Sequence, residues 1–183
     1  MQSEKKLEID SSIKIERGLE TGTFRFKEIF HGFEVLDSVR ETFGSETNKI
    51  LDDLKVELFP RKGYMGVSDE DGHIFASKNY LNEGEFWSLY LDTVHELVHV
   101  RQFREGKNLF DDAYSYADRP TEVEAYRVTV KEARRIGLSE QEIFDYLEVP
   151  WITRTEHLRL ATACDVDAEL VEFKRKNGRG RKK

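Results

Sequence analysis

His95-Glu96-Leu97-Val98-His99 is the stretch of this 183-residue chain whose residue types and spacing carry a definite chemistry. On a helix, residues four apart share a face, with Cβ atoms about 6 Å apart. Two imidazoles so placed can converge on one ion at about 2.0–2.1 Å each. Glu96 stands one step round, where its carboxylate can reach a water activated at that ion without itself being a ligand. Ser88, Asp92, His95, His99 and Gln102 fall at helical spacing as one polar stripe, and apolar residues from Phe86 to Phe103 cover most of the remaining surface. A helix this apolar is a buried helix. A buried polar stripe is costly unless something satisfies it, and a metal ion does so. The competing reading is a solvated or partner-facing helix in which the histidines are incidental.

A catalytic zinc site takes three protein ligands and keeps one position open. The metzincin extension requires Gly at 102 and His at 105, and Gln102 and Glu105 exclude it. A downstream GTxD, the aspzincin pattern, is absent. Further on, Pro120-Thr121-Glu122-Val123-Glu124-Ala125-Tyr126 contains ExxA, with Glu122 standing 23 residues after His99. Through these two motifs the chain resembles a gluzincin-type zinc metallopeptidase, and in particular the small, poorly characterised members of that clan, over roughly residues 64–130.

The resemblance implies a zincin-like fold, Zn2+ as cofactor and a peptide or protein as substrate. It implies His95 and His99 as zinc ligands, Glu122 as the third ligand and Glu96 as the catalytic acid/base. Where the family usually has an acid or amide four residues after the ligand Glu, this chain has Tyr126. Glu124 and Asp118 stay open as alternative ligands. Glu124 also has a structural explanation, as the third residue of a capping box opened by Thr121. Donors available for a developing oxyanion are Tyr114, Tyr116, Tyr126, Arg127 and His157. His73–Ser77 is the strand expected to take an extended substrate by β-augmentation.

The elements that must position these residues follow from periodicity. Residues 5–17 alternate weakly and read as a strand or short hairpin. Residues 23–43 carry apolar side chains at helical spacing, with Gly44 as a stop. Leu54–Phe59 alternates and meets Pro60, which reads as a strand. Tyr64–Val67 and His73–Ser77 flank an Asp-Gly turn and read as a hairpin. Glu85 to about Glu105 reads as one long helix. Thr121/Glu124, Ser139/Glu142 and Thr153/Glu156 each have capping-box spacing and mark three helix starts. A last helix is expected from Asp165 to about Lys176. Strands first and helices afterwards define an α+β fold, a small antiparallel sheet packed on the active-site helix with a mostly helical C-terminal half.

Composition narrows the remaining choices. The chain holds 29 Lys plus Arg against 36 Asp plus Glu, a net charge of −7. The last ten residues carry seven bases and no acid, so residues 1–173 hold 22 bases against 36 acids, or −14. The division expected is a single domain over 1–173 followed by a basic, disordered tail over 174–183. The acidic body argues against general nucleic-acid binding and confines any such contact to the tail. One cysteine, Cys164, excludes an internal disulfide or a multi-cysteine zinc knuckle and reads as a small core residue. No apolar run reaches the roughly 18 residues of a membrane span, and no signal peptide opens the chain, which leads to a cytoplasmic expectation. With 23 Glu against 3 Gln and 5 Asn, the composition leans towards a thermophile. The alternatives to a peptidase are a non-catalytic metal-containing binding or regulatory protein, contacting nucleic acid through the tail, and a metal-free helical bundle.

Overall fold

A computed structural model describes residues 7–167, so the basic tail and the expected helix beyond Asp167 lie outside the described residues. The described part of that helix, Asp165–Asp167, is not helical, and Asp165 has φ 57°. The class is α+β. The chain divides into two compact units, one over residues 9–110 and one over residues 111 onward together with the N-terminal residues through Glu8.

The first unit holds six strands: β1 (Lys14–Ile15), β2 (Gly22–Arg25), β3 (Phe30–His31), β4 (Lys55–Phe59), β5 (Met65–Val67) and β6 (Ile74–Ser77). Its helices are α1 (Phe26–Ile29), α2 (Asp37–Phe43), α3 (Thr47–Asp53), α4 (Lys78–Glu83) and α5 (Phe86–Arg104). The single helix expected over 23–43 is not formed. That segment is β2, α1, β3, a 3-10 turn and α2 in succession. Gly32 is the physical reason for part of this: it sits at φ 80°, and a Cβ there would lie 2.6 Å from the Ser12 carbonyl oxygen. A helical conformation there is replaced by a left-handed turn against a crossing backbone. The apolar spacing that looked helical instead builds an aromatic cluster. Phe26, Phe30 and Phe33 are fully buried with ring centroids 5.1–6.0 Å apart, and Phe33 meets Tyr90 of α5 at 5.7 Å. Gly44 does end α2, as expected, at φ 60°.

β1 pairs with β3, and the other four strands form a sheet in the order β2-β4-β6-β5. Two of its three pairings are antiparallel, and β4 runs parallel to β6. The expected hairpin is present as β5 and β6, with Gly72 at φ 76° in its turn. Val56, Leu58, Ile74 and Ala76 point to the buried face, and α5 packs against β5 and α2. β6 has strands on both sides. β5 is the outer strand.

The second unit contains α6 (Pro120–Arg135), α7 (Glu140–Tyr146) and α8 (Arg154–Ala163). The N-terminal segment is tied to it by the Glu8 amide, which donates to the Ile136 carbonyl at 2.9 Å. Ser139/Glu142 and Thr153/Glu156 form complete capping boxes. The box expected at Thr121 does not form. α6 begins two residues earlier, with Pro120 at N1 and Arg119, extended, as the N-cap in place of Thr121. Proline's fixed φ suits the first helical position, and the residue before it is driven out of the helical region. Among the described residues, no helix is long and apolar enough to cross a membrane.

Candidate metal centre

Every residue of α5 from Thr93 to Val100 is buried, so this part of the helix has no solvated face. His95 and His99 are each 6% exposed and Glu96 7%. The i, i+4 spacing brings the two imidazoles together at right angles, with ring centroids 4.6 Å apart and the Nε2 atoms 3.0 Å apart. Gln102, fully buried, places Oε1 2.7 Å from His99 Nδ1. A carbonyl oxygen only accepts, so His99 carries its proton on Nδ1 and presents a lone pair at Nε2. That is the arrangement by which an outer partner fixes the tautomer and orientation of a ligating histidine.

The two remaining residues of the polar stripe, Ser88 and Asp92, both face the Tyr80 hydroxyl of α4. Asp92 accepts a hydrogen bond from the Tyr80 hydroxyl, and burial together with that carboxylate drives the phenol well above its ordinary value. The Thr93 hydroxyl donates back to the Leu89 carbonyl at 2.7 Å.

Glu122 lies in the first turn of α6 and is 5% exposed. The helix dipole favours a carboxylate at that end. Arg119, three residues earlier, brings Nη1 to 3.7 Å from Glu122 Oε1. His95, His99 and Glu122, all buried, offer one ligand atom each within 4.8 Å of one another. They are the one such group of three among the described residues.

The donor set fits a metal in kind. Two imidazoles and a carboxylate are the ligands of one class of catalytic zinc site, and tetrahedral geometry at about 2.05 Å per bond asks for nitrogens about 3.3 Å apart. The 3.0 Å separation is close to that value.

The rival ligands differ in setting. Asp118 is engaged by the Arg159 guanidinium at 3.0 and 2.7 Å and by the Ser115 hydroxyl at 2.6 Å. These contacts hold its carboxyl below the usual carboxylate range, and it is not in the buried group. Glu124 is also outside that group, and the capping box that would have explained it is not formed. Of the expected oxyanion donors, Arg127 gives Nε to the Ala163 carbonyl, and His157 gives Nε2 to the Phe144 carbonyl at 2.7 Å. Tyr114 is 46% exposed. The hydroxyls of Tyr116 and Tyr126 are hydrogen-bonded to each other at 2.9 Å, with Tyr126 one turn beyond Glu122 on the buried face of α6.

Two features were not foreseen from the sequence. Gln102 stood on the polar stripe without a role, although its i+3 spacing from His99 was the available signal. The strand expected to accept substrate, His73–Ser77, is β6, whose two edges are both taken; the outer strand is β5. Set against known protein families, curated proteins and solved structures, the chain finds no match.

Proposed function

We propose that the protein is a zinc-dependent hydrolase of the metallopeptidase type, with His95, His99 and Glu122 as ligands and Glu96 as general base. The observation that carries this reading is the buried two-histidine, one-carboxylate group on a helix whose sequence also supplies a glutamate beside the first histidine. A bound zinc ion would supply Lewis acidity to a water and to the scissile carbonyl. Glu96 takes a proton from the attacking water and returns it to the leaving amine, so the proton balance closes on one carboxylate. Gln102 holds His99 in the tautomer whose Nε2 lone pair, turned towards His95 Nε2, can ligate. The paired phenols of Tyr116 and Tyr126 are the donors best placed in sequence for the oxyanion, because Tyr126 follows Glu122 by one helical turn.

Extended peptide is best received at β5. Residues 64, 66 and 68 face β6 in its hydrogen-bonding register, since the Ser77 amide donates to Tyr64 and the Ser68 amide to His73. The amides and carbonyls of Met65 and Val67 therefore point away from β6 and are available for strand addition.

The test is metal analysis of the purified chain beside His95→Ala and Glu122→Ala, followed by turnover of Glu96→Gln on any peptide the wild type cleaves. About one zinc per chain in wild type, lost in both ligand variants and kept in Glu96→Gln with cleavage abolished, is the expected pattern. Full turnover in Glu96→Gln would remove the mechanism, and zinc retained by Glu122→Ala would remove the third ligand.

A further inference from the structure

The face of the sheet opposite the buried one is not plain polar surface. Strand alternation sends Glu57 and Phe59 of β4 and Phe75 of β6 to that side, and register sets Glu57, Phe75 and Gly66 in one row across three strands. Gly66 has a reason to be glycine: a Cβ there would lie 2.6 Å from Phe75 Cζ, so the ring lies across the backbone of β5. Phe59 stands 6.2 Å from Phe75, and the two rings floor an open groove of about 490 Å³. Its rim carries the carboxylates of Glu57, Asp69 and Glu70. Of these, Glu57 lies 3.4 Å from His73 Nε2 and keeps a side chain 53% exposed. Asp69 and Glu70 lie in the exposed turn between β5 and β6.

We infer that this groove binds a basic peptide segment, with an arginine or lysine side chain laid over Phe75 and its charge turned to Glu57, Asp69 and Glu70. The groove already accommodates one guanidinium of its own: Arg61 stands 5.9 Å from the Phe59 ring centroid, within cation–π range. Phe75 offers a second ring beside it, and three acidic residues line the groove against Arg61 and the His73 imidazole that pairs with Glu57. An aromatic floor takes the aliphatic stem of a long cationic side chain while the head reaches the acids. An anionic or purely apolar ligand would meet the same carboxylates without compensation. All these residues belong to the unit spanning residues 9–110, and the site is independent of the metal and of Glu96.

The test is fluorescence anisotropy on the full chain with a fluorescein-labelled Gly-Arg-Gly-Arg peptide, against Gly-Glu-Gly-Glu, at low ionic strength. The expected result is saturable binding of the basic peptide alone, unchanged by EDTA or by Glu96→Gln. Phe75→Leu, which keeps an apolar side chain, should weaken it about three- to tenfold. Glu57→Gln with Asp69→Asn and Glu70→Gln should abolish it, whereas neutralising Glu85 and Glu148, outside the groove, should leave it within twofold. Wild-type affinity in Phe75→Leu, or an equal loss in the Glu85/Glu148 variant, would reduce the effect to diffuse attraction by an acidic surface and overturn the inference. A zinc dependence of the binding would place the peptide elsewhere and overturn it equally, without touching the metal reading.

Discussion

His99 of α5 and His157 of α8 are both buried, yet the directions of their ring nitrogens separate their uses. His157 gives Nε2 to the Phe144 carbonyl at 2.7 Å, faces Arg154 with Nδ1 at 3.0 Å, and stacks on Phe144 at 4.3 Å between centroids. Nε2 joins α8 to α7, and Nδ1 is taken within α8 by Arg154, three residues earlier. His99 spends Nδ1 on Gln102 and turns Nε2 to the Nε2 of His95. The same contrast runs through the acids: Asp118 is held at the surface by Arg159, whereas Glu122 is buried beside a helix N-terminus. Residue type does not distinguish a ligand from a structural group. The lesson is that the destination of every polar atom does.

The largest effects should follow from breaking the α5 side of that comparison. His99→Ala is expected to lower zinc from about one per chain to near none, while His157→Ala should keep it. Zinc loss on the second substitution alone would reverse the assignment. Glu96→Gln should keep the metal and lower any cleavage by about 100-fold or more, the usual scale for removing a general base. Gln102→Met sharpens the point, because it keeps the volume and removes only the acceptor of the Nδ1 proton. A fall of about 10- to 100-fold in zinc affinity, measured by competition with a chromophoric chelator, is the expected cost of losing that partner. Unchanged affinity would mean that helix geometry alone orients His99.

Much of this was legible in the sequence where one local signal acts alone. The long helix, the β5–β6 hairpin and the Ser139 and Thr153 caps each rest on a few adjacent residues, and each formed. The segment 23–43 failed because its aromatic spacing was produced by a shared core. Phe26, Phe30 and Phe33 converge from a short helix, a strand and a 3-10 turn, an arrangement with no period in the chain. Thr121 failed because two local signals competed and Pro120 set the helix start. At the site, spacing named His95 and His99 and a resemblance named Glu122, but neither separated Glu122 from Asp118. Asp118 is drawn instead to Arg159, 41 residues away in sequence, and lies outside the buried His95, His99 and Glu122 group. The strand expected to take an extended peptide, His73–Ser77, has both edges paired, because strand order is a property of the whole sheet. A parallel β4–β6 pairing puts β6 inside it.

On the His157 side the expected losses are in stability. His157→Ala removes a buried ring and its bond to the Phe144 carbonyl, and should cost about 2–4 kcal/mol in urea denaturation. A cost below about 1 kcal/mol would show that α7 and α8 do not depend on this ring. Burial, the largest cause, holds the imidazole's pKa below its ordinary value, with Arg154 acting in the same direction and the Phe144 bond opposing. The group is therefore neutral in the fold and protonates more readily when unfolded. Its contribution is fully present above the unfolded value of about 6.5 and is lost as pH falls through the lower folded value. Stability should decline on acidification from pH 7 by at most about 1.4 kcal/mol per pH unit from this one proton. His157→Gln should flatten that slope; an unchanged slope would assign it to other groups.

A smaller difference lies within the thiol and the caps of the same helical unit. Burial pushes the Cys164 thiol up to about 12, so native protein at pH 8 should resist iodoacetamide and react only in denaturant. Rapid native labelling would show that α8 opens readily at its C-terminal end. The caps give the finest comparison. Ser139 and Thr153 each accept from an amide three residues on, at 3.3 Å in both cases, while the partner glutamates reach back to the cap amides at 2.6 and 2.8 Å. Ser139→Ala and Thr153→Ala should each cost about 1 kcal/mol. The two are on separate helices and share no partner, so the double variant should lose the sum to within about 0.5 kcal/mol. A larger deficit would mean that α7 and α8 unfold as a coupled pair through His157. In that case His157 would be the residue through which the caps communicate.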